Sequence, residues 1–228
     1  MQFNSAQREI TIKLVYYGPP LSGKTTNLHA VHKLLDAKNA GRLTVLDTAD
    51  DRTLFFDLLP VTAQLGNGYT VKLKLFTVPG QVIHAATRRI VLAGADGVAF
   101  VADSQRSQSR ANNEFWHGMR SYLKENGIDP ETIPIVIQFN KRDLQDVRTD
   151  AELDDVRRRG SEPVYCAVAI RGEGVLETLY GLLDLVFKDL SKRCDFERRF
   201  GFSAESFFVS IFGHLQSPGY VAPAPGGS

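Results

Sequence analysis

The chain has 228 residues, 43% hydrophobic and 23% charged, which suits one ordinary α/β domain plus an appendage and is tight for two full domains. Lys and Arg number 27 against 26 Asp and Glu, and the net charge near +1 gives no electrostatic basis for a nucleic-acid partner. The short basic runs Arg88-Arg89, Arg157-Arg158-Arg159 and Arg198-Arg199 read as solvated helix faces.

In chain order, residues 10–17 form a nearly continuous apolar run, the pattern of a strand covered on both faces. The run leads into Gly18-Pro19-Pro20-Leu21-Ser22-Gly23-Lys24-Thr25-Thr26, a full match to GxxxxGK[ST], and then into a helical pattern over 24–38. The backbone N–H groups of such a loop and the positive end of the helix behind it offer aligned donors to phosphates. Gly18 and Gly23 permit close backbone approach, and Pro19, Leu21, Ser22 and Thr26 complete the cradle. Lys24 is placed to reach the β- and γ-phosphates, and the Thr25 hydroxyl is a candidate Mg²⁺ ligand. This loop alone does not separate ATP from GTP.

A strand over 43–46 precedes Asp50-Asp51-Arg52-Thr53-Leu54-Phe55-Phe56-Asp57-Leu58-Leu59-Pro60, which occupies the place of a switch I segment. Thr53 is a candidate second Mg²⁺ ligand. Arg52 is either an arginine finger supplied in cis, worth about 10³–10⁵ in kcat when correctly placed, or a surface ion pair with Asp50 or Asp51. Phe55 and Phe56 read either as core strand or as a hydrophobic clamp that moves with nucleotide state. The strand over 71–78 ends in Thr77-Val78-Pro79-Gly80-Gln81, where Ras-like proteins carry Asp-x-x-Gly-Gln. By that likeness Gly80 offers its N–H to the γ-phosphate and Gln81 orients the attacking water. Thr77 replaces the carboxylate that holds Mg²⁺ through water, and Asp57 is the candidate to take over that outer-sphere contact.

A helix over 85–92, a strand over 97–102 and a helix over 110–125 lead to a strand over 133–139, which runs into Asn140-Lys141-Arg142-Asp143. The Asp143 carboxylate can accept hydrogen bonds from guanine N1–H and the 2-amino group. Adenine lacks that donor pair, so such a site discriminates by about 10⁴-fold or more. The Lys141 stem suits the face of the base, and Asn140 suits a tie between this loop and the phosphate cradle. After a helix over 151–159 and a strand over 164–169, the segment 167–175 loosely resembles the Ser-Ala-Lys loop of small GTPases. By that likeness Ala169, beside Val168, supplies a backbone N–H to the guanine carbonyl; only the alanine matches. A helix over 174–188 closes the pattern.

Past residue 192 the character changes. The reading is a domain over 1–192, a Phe-rich helical extension over 193–215 and a disordered Pro/Gly/Ala-rich tail over 216–228. Phe196, Phe200, Phe207, Phe208, Ile211, Phe212 and Leu215 approximate helical spacing. Their apolar face packs on its own domain or forms a partner or self-association surface. Cys166 and Cys194 lie far apart without metal-ligand spacing, and Cys166 reads as a small buried strand thiol, a usage that fits a reducing compartment. The polar start lacks a signal sequence, and no apolar run approaches the ~20 residues of a membrane span. The expectation is a cytoplasmic protein without a transmembrane segment.

Strand–helix alternation at this spacing predicts an α/β P-loop NTPase fold of Ras-like type. Its doubly wound, mostly parallel sheet has six to seven strands with helices on both faces. Ligands of such sheets bind outside the carboxyl ends of the strands. No internal repeat is found.

The segments Tyr16-Tyr17-Gly18-Pro19, Asp51-Arg-Thr-Leu-Phe-Phe-Asp57, Thr77-Val-Pro-Gly-Gln81, Val101-Ala-Asp-Ser-Gln105 and Gln138-Phe-Asn-Lys-Arg-Asp143 together resemble the MglA family, bacterial Ras-like GTPases of polarity and gliding motility. The resemblance covers about residues 8 to 190. It implies a monomeric switch with an intrinsic Arg52 and a catalytic Gln81. It further implies an activating MglB-like roadblock-fold homodimer, which corrects the active-site geometry without an arginine of its own. A register shift of the strand after switch I between GDP and GTP forms belongs to the same resemblance, with Phe55 and Phe56 moving as a unit.

The expected function is therefore a small regulatory GTPase that binds GTP or GDP with Mg²⁺. It hydrolyses GTP slowly through Gln81, Arg52 and Lys24, and controls effectors the sequence does not name. Any recruitment to cell poles or membrane runs through partners. The alternative is a nucleotide-stabilised scaffold with negligible turnover, assembling through the Phe-rich extension. An ATP-dependent kinase or transporter ATPase is disfavoured by Asp143.

Overall fold

A computed structural model describes residues 1–35, 39–46, 56–78 and 85–213. The apolar run near the start becomes β2 (Glu9–Tyr17), preceded by a short β1 (Gln2–Asn4) that the polar N-terminus did not announce. α1 (Lys24–Leu34) follows, then β3 (Thr44–Leu46), β4 (Phe56–Gln64), β5 (Thr70–Thr77) and α2 (Ala85–Leu92). The second half alternates β6 (Gly97–Asp103), α3 (Ser109–Glu125), β7 (Ile135–Asn140), α4 (Asp150–Arg159), β8 (Val164–Cys166) and α5 (Val175–Cys194). Two short helices, α6 (Phe196–Phe200) and α7 (Ala204–Phe212), end the described chain.

Seven strands lie in the order β3-β4-β5-β2-β6-β7-β8, with β1 paired antiparallel to the first half of β2. β2 pairs in parallel with both β5 and β6, and β6-β7-β8 continue in parallel; β4 runs against both of its neighbours. This mostly parallel sheet with helices on both faces is the Ras-like P-loop NTPase fold. The two faces follow from the period of two along β2. Ile10, Ile12, Leu14 and Tyr16 join α1, α5 and α7 in one core, while Val15 and Tyr17 join residues of α2, α3 and α4 in the other. Each fully buried aliphatic or aromatic side chain there contributes about 1.5–3 kcal/mol.

β4 is the element that the strand pattern did not bring out. Its inward residues Leu59, Val61 and Ala63 alternate with half-buried Leu58, Pro60 and Thr62, so half of the segment read as switch I is sheet. Phe56 is a strand residue whose ring lies 5.7 Å from that of Phe76. β8 is shorter than the expected 164–169, and its Cys166 is half-buried rather than buried. α4 starts at a capping box in which Thr149 accepts from Glu152 N–H.

α5 runs to Cys194, and the segment behind it is folded back onto the domain. Phe196, Phe200, Phe207, Phe208, Ile211 and Phe212 are buried in the same core as β4. Their rings gather around Phe187 and Tyr180; the Tyr180 and Phe208 centroids are 4.6 Å apart. Asp195 and Gly201, both left-handed, break this stretch into two helices. Among the described residues no helix is long and apolar enough to cross a membrane.

Candidate functional site

The loop from Gly18 to Gly23 leaves the carboxyl end of β2 and turns directly into α1. Two of its glycines are sterically required. A Cβ on Gly18 would sit 2.1 Å from Val101 O, and one on Gly23, at φ 99°, would sit 2.2 Å from Asn140 Nδ2. Leu21 also takes a positive φ and is exposed at the loop's crest. Pro19 and Ser22 are buried beneath it, and the Ser22 Oγ has no hydrogen-bond partner among the described residues. Lys24 folds back over the loop and donates from Nζ to Gly18 O (3.0 Å) and Pro19 O (2.7 Å). It is only 6% exposed. Burial, reinforced by the nearby positive charge of Arg88 and opposed by Asp57, pushes its ammonium down to about 7.

Thr25 follows at the first turn of α1. Its Oγ1 donates to Asp57 Oδ2 at 2.5 Å, and the Thr77 hydroxyl donates to the same oxygen at 2.9 Å. Asp57 N–H in turn donates to Thr77 Oγ1 at 3.0 Å. The register of β4 on β5, with Leu58 opposite Phe76, makes Asp57 and Thr77 direct cross-strand neighbours. The carboxylate absent from position 77 is thus present one strand away and points at the same place. Oxygen donors alone, two hydroxyls and one carboxylate, suit a hard cation such as Mg²⁺. Among the described residues no cluster of three or more His, Cys, Asp or Glu forms a metal site.

On the base side Asn140 is the hub. Its Nδ2 donates to Ser22 O (2.8 Å), and its Oδ1 accepts from Ala169 N–H (2.9 Å), so one buried amide joins the loop after β2 to the loops after β7 and β8. The Ala169 N–H, expected to serve a guanine carbonyl, donates here to Asn140 Oδ1. Val168 directs its N–H to Glu173 O, which closes the turn that presents Ala169. Lys141, at φ 65°, donates from Nζ to Asp103 Oδ2 at 2.7 Å, and Asp143 is exposed. Thr26 is half-buried on α1. Arg52, Thr53, Gly80 and Gln81 lie outside the described residues.

No protein-family model matches the chain. It is 46% identical over 189 residues to the mutual gliding-motility protein MglA of Myxococcus xanthus strain DK1622, an alignment spanning 83% of this chain and 97% of that protein. The chain belongs to the MglA family.

In this MglA-family chain three supports of the site were given no role by the sequence, although Asp103 and Gln138 stand inside two of the segments that carry the resemblance. Asp103 ends β6, is buried, and anchors Lys141; its N–H donates to Asn112 Oδ1, and the Asn112 amide returns a bond to its carbonyl. The signal was a lone carboxylate at the end of an otherwise apolar strand. Gln138, fully buried in β7, exchanges hydrogen bonds with Asn27 at 2.8 and 2.9 Å and donates to Thr178 Oγ1 at 2.9 Å. Asn27 also donates to Gly23 O and Thr178 to Gly174 O, so α1, β7 and α5 are riveted beneath the cleft. Arg88 is the third. It is buried on α2, against the expectation of a solvated face for Arg88-Arg89, with its guanidinium 5.3 Å from the Phe115 ring centroid, and bears electrostatically on Tyr17 and Lys24.

Proposed function

We propose that this MglA-family chain is a small regulatory GTPase that binds GTP or GDP with Mg²⁺, hydrolyses GTP slowly and changes conformation with the nucleotide. The observation that carries the reading is the Asn140 amide, which couples a phosphate-binding loop to the Asn-Lys-Arg-Asp loop in one buried network. The base-reading role of Asp143 follows from its acceptor pair and its place two residues past Lys141.

Thr25 would hold the metal directly, with Thr53 as its partner ligand. Asp57 accepts a hydrogen bond from the Thr25 hydroxyl, which would leave that oxygen's lone pairs for the cation. A Mg²⁺ ion held by these residues would supply charge neutralisation at the phosphates. Lys24 would leave the Gly18 and Pro19 carbonyls for the phosphates, Gly80 would offer its N–H to the γ-phosphate, Gln81 would orient water, and Arg52 would act as the finger in cis. We take an MglB-like roadblock homodimer as the activating partner, and the process as cell polarity or gliding motility; the relative's name speaks of gliding motility. The scaffold alternative draws little support, because the phenylalanines it would use are buried in the chain's own core.

Single-turnover hydrolysis, with and without a roadblock partner, is the test. Gln81→Leu is expected to slow it by about 10² or more with nucleotide affinity nearly intact. Asp143→Asn is expected to weaken GTP and favour xanthine nucleotides, because the donor–acceptor pattern inverts. A wild-type rate in the first variant removes Gln81 from its role, and unchanged GTP affinity in the second removes the base assignment.

A further inference from the structure

β4 begins beside Asp57 and has a thin outer neighbour. Among the described residues only Thr44–Leu46 pair with this outer edge as strand, followed by one isolated bridge between Ala40 and Val61. Its other edge pairs with β5 from Leu58 to Gln64, and its inner face is covered by α1 together with α7 from the far end of the chain.

Two asparagines fasten α6 and α7 to the β4 hairpin. The Asn39 carbonyl accepts Thr62 N–H at 2.7 Å, while its Nδ2 donates to Ser210 O (2.9 Å) and Ile211 O (3.2 Å). One residue thus holds β4 through its backbone and α7 through its side chain. Asn67, in the turn between β4 and β5, donates to Phe200 O (2.7 Å) and Gly201 O (2.8 Å). Both amides bind carbonyls at helix C-termini, where no intrahelical donor is left. The opposite end of the same strand carries the carboxylate that receives Thr25 and Thr77.

We propose that α6 and α7 form a built-in buttress that fixes β4 and so sets Asp57 against Thr25, which makes Asn39 a positioning residue of the metal side of the cleft. The proposal rests on Asp57 serving the Mg²⁺ site, as read above. α7 is then part of the nucleotide machinery although it lies at the other end of β4 from the phosphate loop. A helix that merely adds stability would lower the melting temperature and leave the metal's effect on the nucleotide alone.

The experiment uses the full chain and two readouts: release of fluorescent GDP in Mg²⁺ and in EDTA, and amide exchange of β4 in EDTA. Asn39→Ala and Asn39→Asp, which both lose the donor, are expected to speed release in Mg²⁺ about fivefold with the EDTA rate unchanged, one hydrogen-bonding group being lost. Exchange across residues 59–63 is expected to rise about tenfold. Phe208→Leu, which thins the buttress while keeping a hydrophobic filling, is expected to move both readouts the same way and serves if the asparagine variants fold poorly. A wild-type Mg²⁺-to-EDTA ratio in these variants overturns the proposal. Asp57→Asn locates the failure: if it raises the ratio while the Asn39 and Phe208 variants do not, the buttress alone is wrong. If it too leaves the ratio unchanged, the metal-side reading of Asp57 falls with it.

Discussion

The two sides of the cleft, the one proposed for the base and the one proposed for the metal, are assembled by different rules. On the base side each functional residue sits inside a contiguous motif at a strand end, and Asn140 bolts the motifs together. On the metal side the carboxylate and the hydroxyl that stands in its place come from two strands, and they meet only because β4 pairs with β5 in one register. The first arrangement is carried by local sequence. The second is carried by pairing, so a slip of one residue would set Phe56 or Leu58 against Thr77 and undo it.

Breaking the hub should cost most. Asn140→Ala leaves Ser22 C=O and Ala169 N–H without their partner in a buried place. About 3 kcal/mol, or roughly a hundredfold in GDP affinity, is expected. A fluorescent-nucleotide titration checks this, and a loss under threefold would show that the loops hold themselves. Exchanging the two metal-side residues sharpens the contrast. Asp57→Thr is expected to weaken the Mg²⁺ dependence of nucleotide binding by about tenfold, the scale of one charge-assisted hydrogen bond. The double variant Asp57→Thr/Thr77→Asp is expected to regain most of it, because the carboxylate returns across the same strand pair. A double variant no better than the single one would mean that the strand of origin matters.

The smallest effect is that of pH. With its ammonium pushed down to about 7, Lys24 in the empty cleft is mostly neutral above that pH. Phosphates favour its charged form, so the bound state holds more protons than the free one. Affinity should then fall as pH rises from 7 to 9, by less than about tenfold per unit, and flatten below 6. Calorimetry in two buffers of different ionisation enthalpy should register proton uptake at pH 8; none would place the ammonium's charge elsewhere.

Contiguity also decided what was legible in the sequence. Gly18 to Thr26 and Asn140 to Asp143 could be placed because strand, loop and helix follow one another along the chain. Asp57 was legible only as a substitute for an absence at Thr77. β4 was hidden by Pro60, which is tolerated where a neighbouring strand is short, and by residues that read as a switch. The Gln138–Asn27–Thr178 network joins three elements far apart in sequence, and no local pattern encodes it. The end of the chain read as one helical stretch of phenylalanines; left-handed backbone at Asp195 and Gly201 lets it double back.

That doubling back bears on how the protein is made. The inner face of β4 emerges from the ribosome roughly 150 residues before α7, at about 5–20 residues per second of synthesis. Until then Leu59, Val61 and Ala63 lack their final cover, and the aromatic cluster around Phe187 is incomplete. The nascent chain therefore carries an open apolar strand for seconds, a window in which chaperones or premature stops near Cys194 decide its fate.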